Sequence, residues 1–248
     1  MKNVALEIND GIATLRLDNG VANAISLPLL ADISSALAEV RAEARGLVLA
    51  GGSKFFSIGF DLPSLLPLDR EGMMEFFNAF NRVTLDIYTL PLPSVSAVGG
   101  HAAGGGCILA LACDYRFLAD GRKLIGLNEV NLGVPDTYLS DLILRQIVGD
   151  RAATEMVYNG DLLSPEQASQ IGLVDEVLTA EELELNALEK VSALAQKPFF
   201  GFSQLKDNRV EQVCRWYEKN GRVKDEIFVD GWFLPETQAL LKEAAKKF

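Results

Sequence analysis

Two glycine-bearing loops and one carboxylate are the parts of this chain best suited to chemistry. The first loop, Lys54-Phe-Phe-Ser-Ile-Gly-Phe-Asp-Leu62, follows an apolar run and a glycine pair. Gly59 lets the chain bend sharply, and Asp61 ahead of Leu62-Pro63 suits the N-cap of a short helix. A chain leaving a buried strand for a helix carries backbone N–H groups without partners, and such groups bind anions. The second loop, Gly99-Gly-His-Ala-Ala-Gly-Gly-Gly-Cys107, opens a hydrophobic helix whose N-terminus adds partial positive charge. The two loops together supply two converging N–H donors, the composition of an oxyanion hole for a carbonyl. The third feature is Glu129, set among apolar residues in Ile125-Gly-Leu-Asn-Glu129-Val-Asn-Leu-Gly133. Desolvation there would raise its pKa and suit it to general-base work. Each feature has a plainer reading too: an ordinary strand-to-helix turn, glycine for tight helix packing, and a solvated loop acid.

Other chemistries are poorly supplied. The second loop lacks the Lys-Ser/Thr of a phosphate-binding P-loop and the GxGxxG spacing of a dinucleotide site. His101 is the only histidine, and Cys107, Cys113 and Cys214 show no CxxC or HExxH arrangement, so no metal site is expected. A Ser57–His101 nucleophile pair lacks a GxSxG elbow. Asp114, after a buried helix, reads as a structural partner. Sparse, odd-numbered cysteines suit free thiols in a reducing compartment.

These loops need elements to hold them. Val4–Ile8 and Ile12–Leu17 alternate around Asn9-Asp10-Gly11, which predicts a hairpin. Helical periodicity runs over Leu27–Arg41 and Glu71–Leu90, and short apolar strands are expected at Gly46–Ala50, Ser94–Val98 and Tyr115–Ala119. Gly106–Ala112 is an all-apolar helix. Ser164-Pro-Glu-Gln167 is a helix start with Gln at N3, followed by a strand over Leu173–Leu178. Thr179-Ala-Glu-Glu182 is a second capping signal, and beyond it the pattern is helical. A soft boundary falls at Lys197-Pro198, giving a core over 1–197 and a helical region over 198–248.

Composition bounds the class. The 248 residues are 49% hydrophobic and 23% charged, which suits a globular chain with a full core. A net charge of −11 argues against nonspecific binding of nucleic acid or anionic membrane. Residues 91–113 carry no Asp, Glu, Lys or Arg, yet five glycines within Gly99–Gly106 and two prolines make a membrane helix a poor reading. The N-terminal MKNVALEIND has no apolar signal region, and the terminal Ala-Lys-Lys-Phe248 is not a peroxisomal tripeptide, so a cytoplasmic location is expected.

Taken together, Phe56-Ser-Ile-Gly-Phe-Asp-Leu62, Gly104-Gly-Gly-Cys107, Cys113-Asp-Tyr115, Gly126-Leu-Asn-Glu129 and the Ser164–Asp175 segment resemble, in order and spacing, the crotonase (enoyl-CoA hydratase/isomerase) superfamily. The loop motifs are most similar to those of Δ3,Δ2-enoyl-CoA isomerases. The resemblance implies an α/β spiral of ββα units followed by a helical C-terminal region, and a homotrimer or hexamer whose interface uses that region. It implies an oxyanion hole from the backbone N–H groups of Ile58 and Gly105, holding the thioester oxygen of an acyl-CoA. Coenzyme A would come as part of the substrate, against Lys54, Ser57, Ile58, Asp61, Leu62, Gly104 and Gly105, with no separate cofactor. The family's hydratases carry two catalytic glutamates. The second matches Glu129, whereas Ile108 stands where the first would fall.

One base suffices to move a proton between C2 and C4, so the expected reaction is conversion of a 3-enoyl-CoA to the 2-enoyl-CoA with Glu129 as single acid/base. Ile108 is expected to form a greasy wall against water. Asp136, seven residues after Glu129, is the complication: as a second acid it would allow hydration or another acyl-CoA reaction, and otherwise it is a surface or capping residue. A noncatalytic acyl-CoA-binding scaffold is the alternative of another class. Phe228, Trp232 and Phe233 are expected in the core or an interface, or as a lid on the acyl chain.

Overall fold

The computed structural model describes residues 1–246. The chain opens with the expected hairpin, β1 (Val4–Asn9) and β2 (Ile12–Leu17). Asp10 and Gly11 turn it with φ of 50° and 78°, the left-handed pair that a two-residue hairpin loop requires. Helix α1 (Leu27–Glu43) follows, with Leu30, Ile33, Leu37 and Val40 on its buried face. Three successive units then repeat one order: a strand of a large sheet, a strand of a small sheet, then helix. They are β3 (Gly46–Ala50), β4 (Phe55–Ser57), α2 (Leu62–Leu65) and α3 (Arg70–Tyr88); β5 (Ser94–Val98), β6 (His101–Ala103) and α4 (Gly105–Leu111); and β7 (Tyr115–Ala119), β8 (Ile125–Gly126) and α5 (Tyr138–Asn159). The chain then runs through α6 (Pro165–Gln170), β9 (Glu176–Leu178), α7 (Leu183–Ala195), α8 (Phe199–Trp232) and α9 (Pro235–Ala245).

The large sheet has the order β1-β2-β3-β5-β7-β9, parallel except for the first pair, and the small one is parallel β4-β6-β8. This is the α/β spiral of ββα units with a helical C-terminal region. All five residues of β3 and of β5 are buried, because the large sheet is covered on both faces. Leu183, Ala187 and Val191 of α7 cover one face, and the main core fills the other.

Three features were not legible in the sequence. The small sheet is made of two- and three-residue strands, too short for a periodic pattern. Helix α5 has no counterpart among the sequence expectations, and Gly149 (φ 78°, ψ 161°) interrupts it. The strand expected over Leu173–Leu178 is only Glu176–Leu178, because Leu173 and Val174 return their N–H groups to Ala168 O and close α6 instead.

The capping box at Ser164 and Gln167 forms as expected. At the second signal Thr179 and Glu182 bond to each other, but α7 begins at Leu183. The uncharged 91–113 segment is β5, β6 and α4, and among the described residues no helix is long and apolar enough to cross a membrane. Lys247 and Phe248, read for a targeting tripeptide, lie outside the described residues.

Candidate active site

The two loops meet because glycine lets them. A Cβ on Gly106 would lie 2.2 Å from Ser57 O, so only glycine allows α4 to seat against β4. Gly104 takes φ 52° ahead of α4, and a Cβ there would stand 3.2 Å from Glu129 Oε1. The carboxyl of Glu129 therefore packs against the glycine turn. A strap before α1 holds the first loop: buried Asn23 donates to Phe56 O at 3.1 Å, and Ser57 Oγ donates to Asn23 O at 2.7 Å.

That strap changes which amide is free. Ile58 N–H donates to Ala22 O at 3.0 Å, so the expectation that Ile58 supplies an anion-binding donor is corrected. Asp61 N–H donates to Ile25 O at 3.0 Å, and neighbouring amides of an extended chain face opposite sides. The amide between Gly59 and Asp61, that of Phe60, has no acceptor among the described residues. The same holds for Gly105 N–H, at the first turn of α4. Both residues line one cavity of about 430 Å³. The sequence offered no signal for Phe60 over Ile58, because the choice depends on a strap more than thirty residues upstream.

Glu129 begins a 3₁₀ turn, Glu129–Leu132, and is 9% exposed. It borders the cavity. Its Oε2 is buried without a donor among the described residues. Burial, then the charge of Asp136, push its pKa well above the usual carboxylate range. The carboxyls of Asp136 and Glu129 interact, and burial pushes Asp136 up to about 6. Burial and mutual repulsion make it hard for both to ionise, and the larger upward shift puts the retained proton on Glu129. Asp136 is neither a free surface residue nor a cap: Thr137 caps α5 by accepting from Ser140 N–H.

The rest of the cavity wall is apolar. Leu132 and Val134 come from the turn around Glu129, and Phe228, Trp232, Leu241 and Ala244 from α8 and α9. Phe228 stacks on Phe77 with ring centroids 4.1 Å apart. Trp232 is 1% exposed, and its Nε1 has no acceptor among the described residues. Phe228 and Trp232 are thus core and cavity wall at once, while Phe233 only packs against the core. Ile108 is fully buried in the main core and is not a lining residue, so the greasy wall expected from it is built by others.

Of the remaining residues singled out, Leu62, Gly104 and Gly105 line the cavity and Ser57 and Asp61 do not. Ser57 is fully buried and spent on the strap. Asp61 stands at the N-cap of α2 but makes no side-chain cap. Lys54 is exposed, with Nζ 5.4 Å from the Phe55 ring centroid. His101 lines the cavity, which the sequence reading did not anticipate. Its Nδ1 accepts from Leu124 N–H at 3.1 Å, and burial followed by the charges of Lys123 and Lys54 hold its pKa down. It is therefore neutral, bears its proton on Nε2, and does not pair with Ser57. Asp114 is structural, accepting from Lys206 Nζ at 2.8 Å and from Ser94. The three cysteines are free.

Two loop amides without acceptors among the described residues stand beside a buried carboxyl on a spiral of ββα units, a crotonase-like frame. The family model for enoyl-CoA hydratase/isomerase matches residues 7–230, and the chain belongs to that family. It is 34% identical over 190 residues to the human mitochondrial enoyl-CoA delta isomerase 1, covering 75% of this chain and 62% of that protein. The chain thus spans less than two thirds of that isomerase's length. It is 32% identical over 200 residues to a probable enoyl-CoA hydratase of Bacillus subtilis, covering 79% of this chain and 76% of the other. The crystal structure of human mitochondrial delta3-delta2-enoyl-CoA isomerase superposes with a TM-score of 0.94 at 27% identity, covering 99% of this chain and 97% of that one.

Proposed function

We propose that this chain is an acyl-CoA isomerase that moves the double bond of a 3-enoyl-CoA to the 2-position. The observation that carries the reading is a single carboxyl, Glu129, on an apolar cavity that also presents the unpaired amides of Phe60 and Gly105. The thioester oxygen accepts from both amides. Removing the C2 proton sends charge onto that oxygen, where each donor contributes on the order of 3 kcal/mol to the enolate. Ionised Glu129 takes the C2 proton and returns it at C4, and a positioned base adds roughly 10²–10⁴-fold. The apolar wall keeps out the water that hydration needs. Likeness to named isomerases in sequence and in fold supports the reading.

The same proposal makes coenzyme A part of the substrate, with Lys54 near the entrance as a phosphate partner and no separate cofactor. Residues 1–197 form most of the acyl-CoA-binding core, completed by Phe228, Trp232, Leu241 and Ala244, and the region over 198–248 also serves oligomerisation in a homotrimer or hexamer. A reducing compartment suits the free thiols, and the cytoplasm is the one we propose. A second reading rests on Asp136: two carboxyls in contact could activate water, which would make the chain a hydratase, like the named relative from Bacillus subtilis.

Incubation of the purified protein with 3-enoyl-CoA and 2-enoyl-CoA separates these readings. Isomerisation leaves mass unchanged, hydration adds one water, and binding without turnover points to a scaffold. In the isomerase reading Glu129→Gln loses at least 10²-fold in kcat, and wild-type rates in that variant would refute it.

A further inference from the structure

Glu129 and Asp136 sit on either side of one short loop. The 3₁₀ turn after Glu129 ends at Gly133, whose φ of 77° turns the chain back and brings Asp136 to Glu129. Glu129 borders the apolar cavity, and Asp136 does not. Asp136 instead lines a second cleft of about 430 Å³, with Tyr138, Asp141, Arg145 and Lys224 around it. Phe228 borders both spaces. Asp136 is half-buried, interacts with Glu129, whose Oε2 is buried, and lines that charged cleft.

We propose that Asp136 is a proton outlet, which exchanges the proton of Glu129 with water in the second cleft while the apolar cavity stays sealed. It is a relay residue and touches no substrate. The proposal rests on the isomerase reading. At rest the pair holds one proton. Its passage to Asp136 frees Glu129 as base. When Glu129 takes the C2 proton, the C–H electron pair goes to the enolate and the pair holds two protons. Asp136 then gives its proton to cleft water, accepts the substrate-derived one from Glu129 and releases that to water too, and takes up two protons from water in turn, passing the first to Glu129, so that the pair again holds two. Charge balances, and the proton delivered to C4 comes from solvent.

The test is turnover of 3-enoyl-CoA in deuterium oxide, with the deuterium content of the 2-enoyl-CoA read by mass spectrometry at low conversion. Wild type is expected to place deuterium at C4 in most turnovers. Asp136→Asn keeps the shape, and its amide can donate to ionised Glu129 but cannot pass a proton. The deuterated fraction should fall at least five-fold, by more than the turnover rate falls, and Asp136→Glu should restore it. A wild-type product free of deuterium overturns the inference, as does an Asp136→Asn product as deuterated as wild type. If 3-enoyl-CoA is not converted at all, the isomerase reading fails instead. Washout of the C2 protons of a saturated acyl-CoA then reads the relay by itself: a five-fold slower washout in Asp136→Asn supports it, and equal washout overturns it.

Discussion

The carboxyl of Asp136 ionises at about 6 in the folded chain against an ordinary 3.8, because burial outweighs the hydrogen bond from Glu129 and the charge of Asp141 adds to it. Between those values the folded state holds the proton that the unfolded chain has released. The group's contribution to stability is therefore intact below about pH 4 and is lost as pH rises through 6, on the order of 3 kcal/mol at most. Glu129 acts in the same direction, since burial raises it as well. Asparagine at 136 removes the titration and keeps a donor for Glu129. Urea unfolding of Asp136→Asn should match wild type at pH 4 and show a gain of about 1–3 kcal/mol at pH 8. An equal difference at both pH values would show that Asp136 is not held above its ordinary range. The site thus spends stability at neutral pH on a carboxyl pair that a purely structural loop would not need.

Among the elements, the cavity is closed by helices that follow the ββα core in the chain. Trp232 ends α8, and Leu241 and Ala244 on α9 complete the wall. Replacing Trp232 by leucine removes the ring and enlarges the cavity without adding a polar group. Truncating a buried aromatic costs about 3–5 kcal/mol at the alanine limit and less here. The expected outcome is a rise of at least three-fold in kcat/KM for long-chain relative to short-chain 3-enoyl-CoA, and an unchanged ratio would place the acyl chain elsewhere. The sequence carried the loops, Glu129, the hairpin and most of the long helices, because each is a local signal: glycine spacing, alternation, or a 3.6-residue stripe. It did not carry Phe60, whose role depends on Ala22 and Ile25 taking the neighbouring amides. Nor did it carry the partnership of Asp136 with Glu129, which needs the left-handed turn at Gly133, or the burial of Ile108 away from the cavity. Those are tertiary facts, set by which segment crosses which.

For the whole molecule, the surface left by this packing is the remaining physical argument. Helix α8 runs for 34 residues, about 50 Å, and buries Lys206, Val210, Val213, Phe228 and Trp232 on its inner side. At its start Phe199, Phe200 and Leu205 are 61%, 76% and 67% exposed. Large apolar side chains gathered at one place on a soluble surface mark a contact with another protein surface more often than chance exposure. They also fall where the proposed oligomerisation region begins. The contact expected is a second copy of this chain, because the patch is apolar and lies in the proposed oligomerisation region. Light scattering on the full chain should give about three or six times the 27.0 kDa subunit mass, and Phe200→Glu with Leu205→Glu should shift it toward one subunit. Neither Phe200 nor Leu205 lines the cavity. Glutamates there would set two or more like charges against apolar partners, a desolvation cost that an interface of roughly 800 Å² per subunit could not absorb. A wild-type mass of one subunit would leave those three side chains without a partner and remove the oligomer from the proposal.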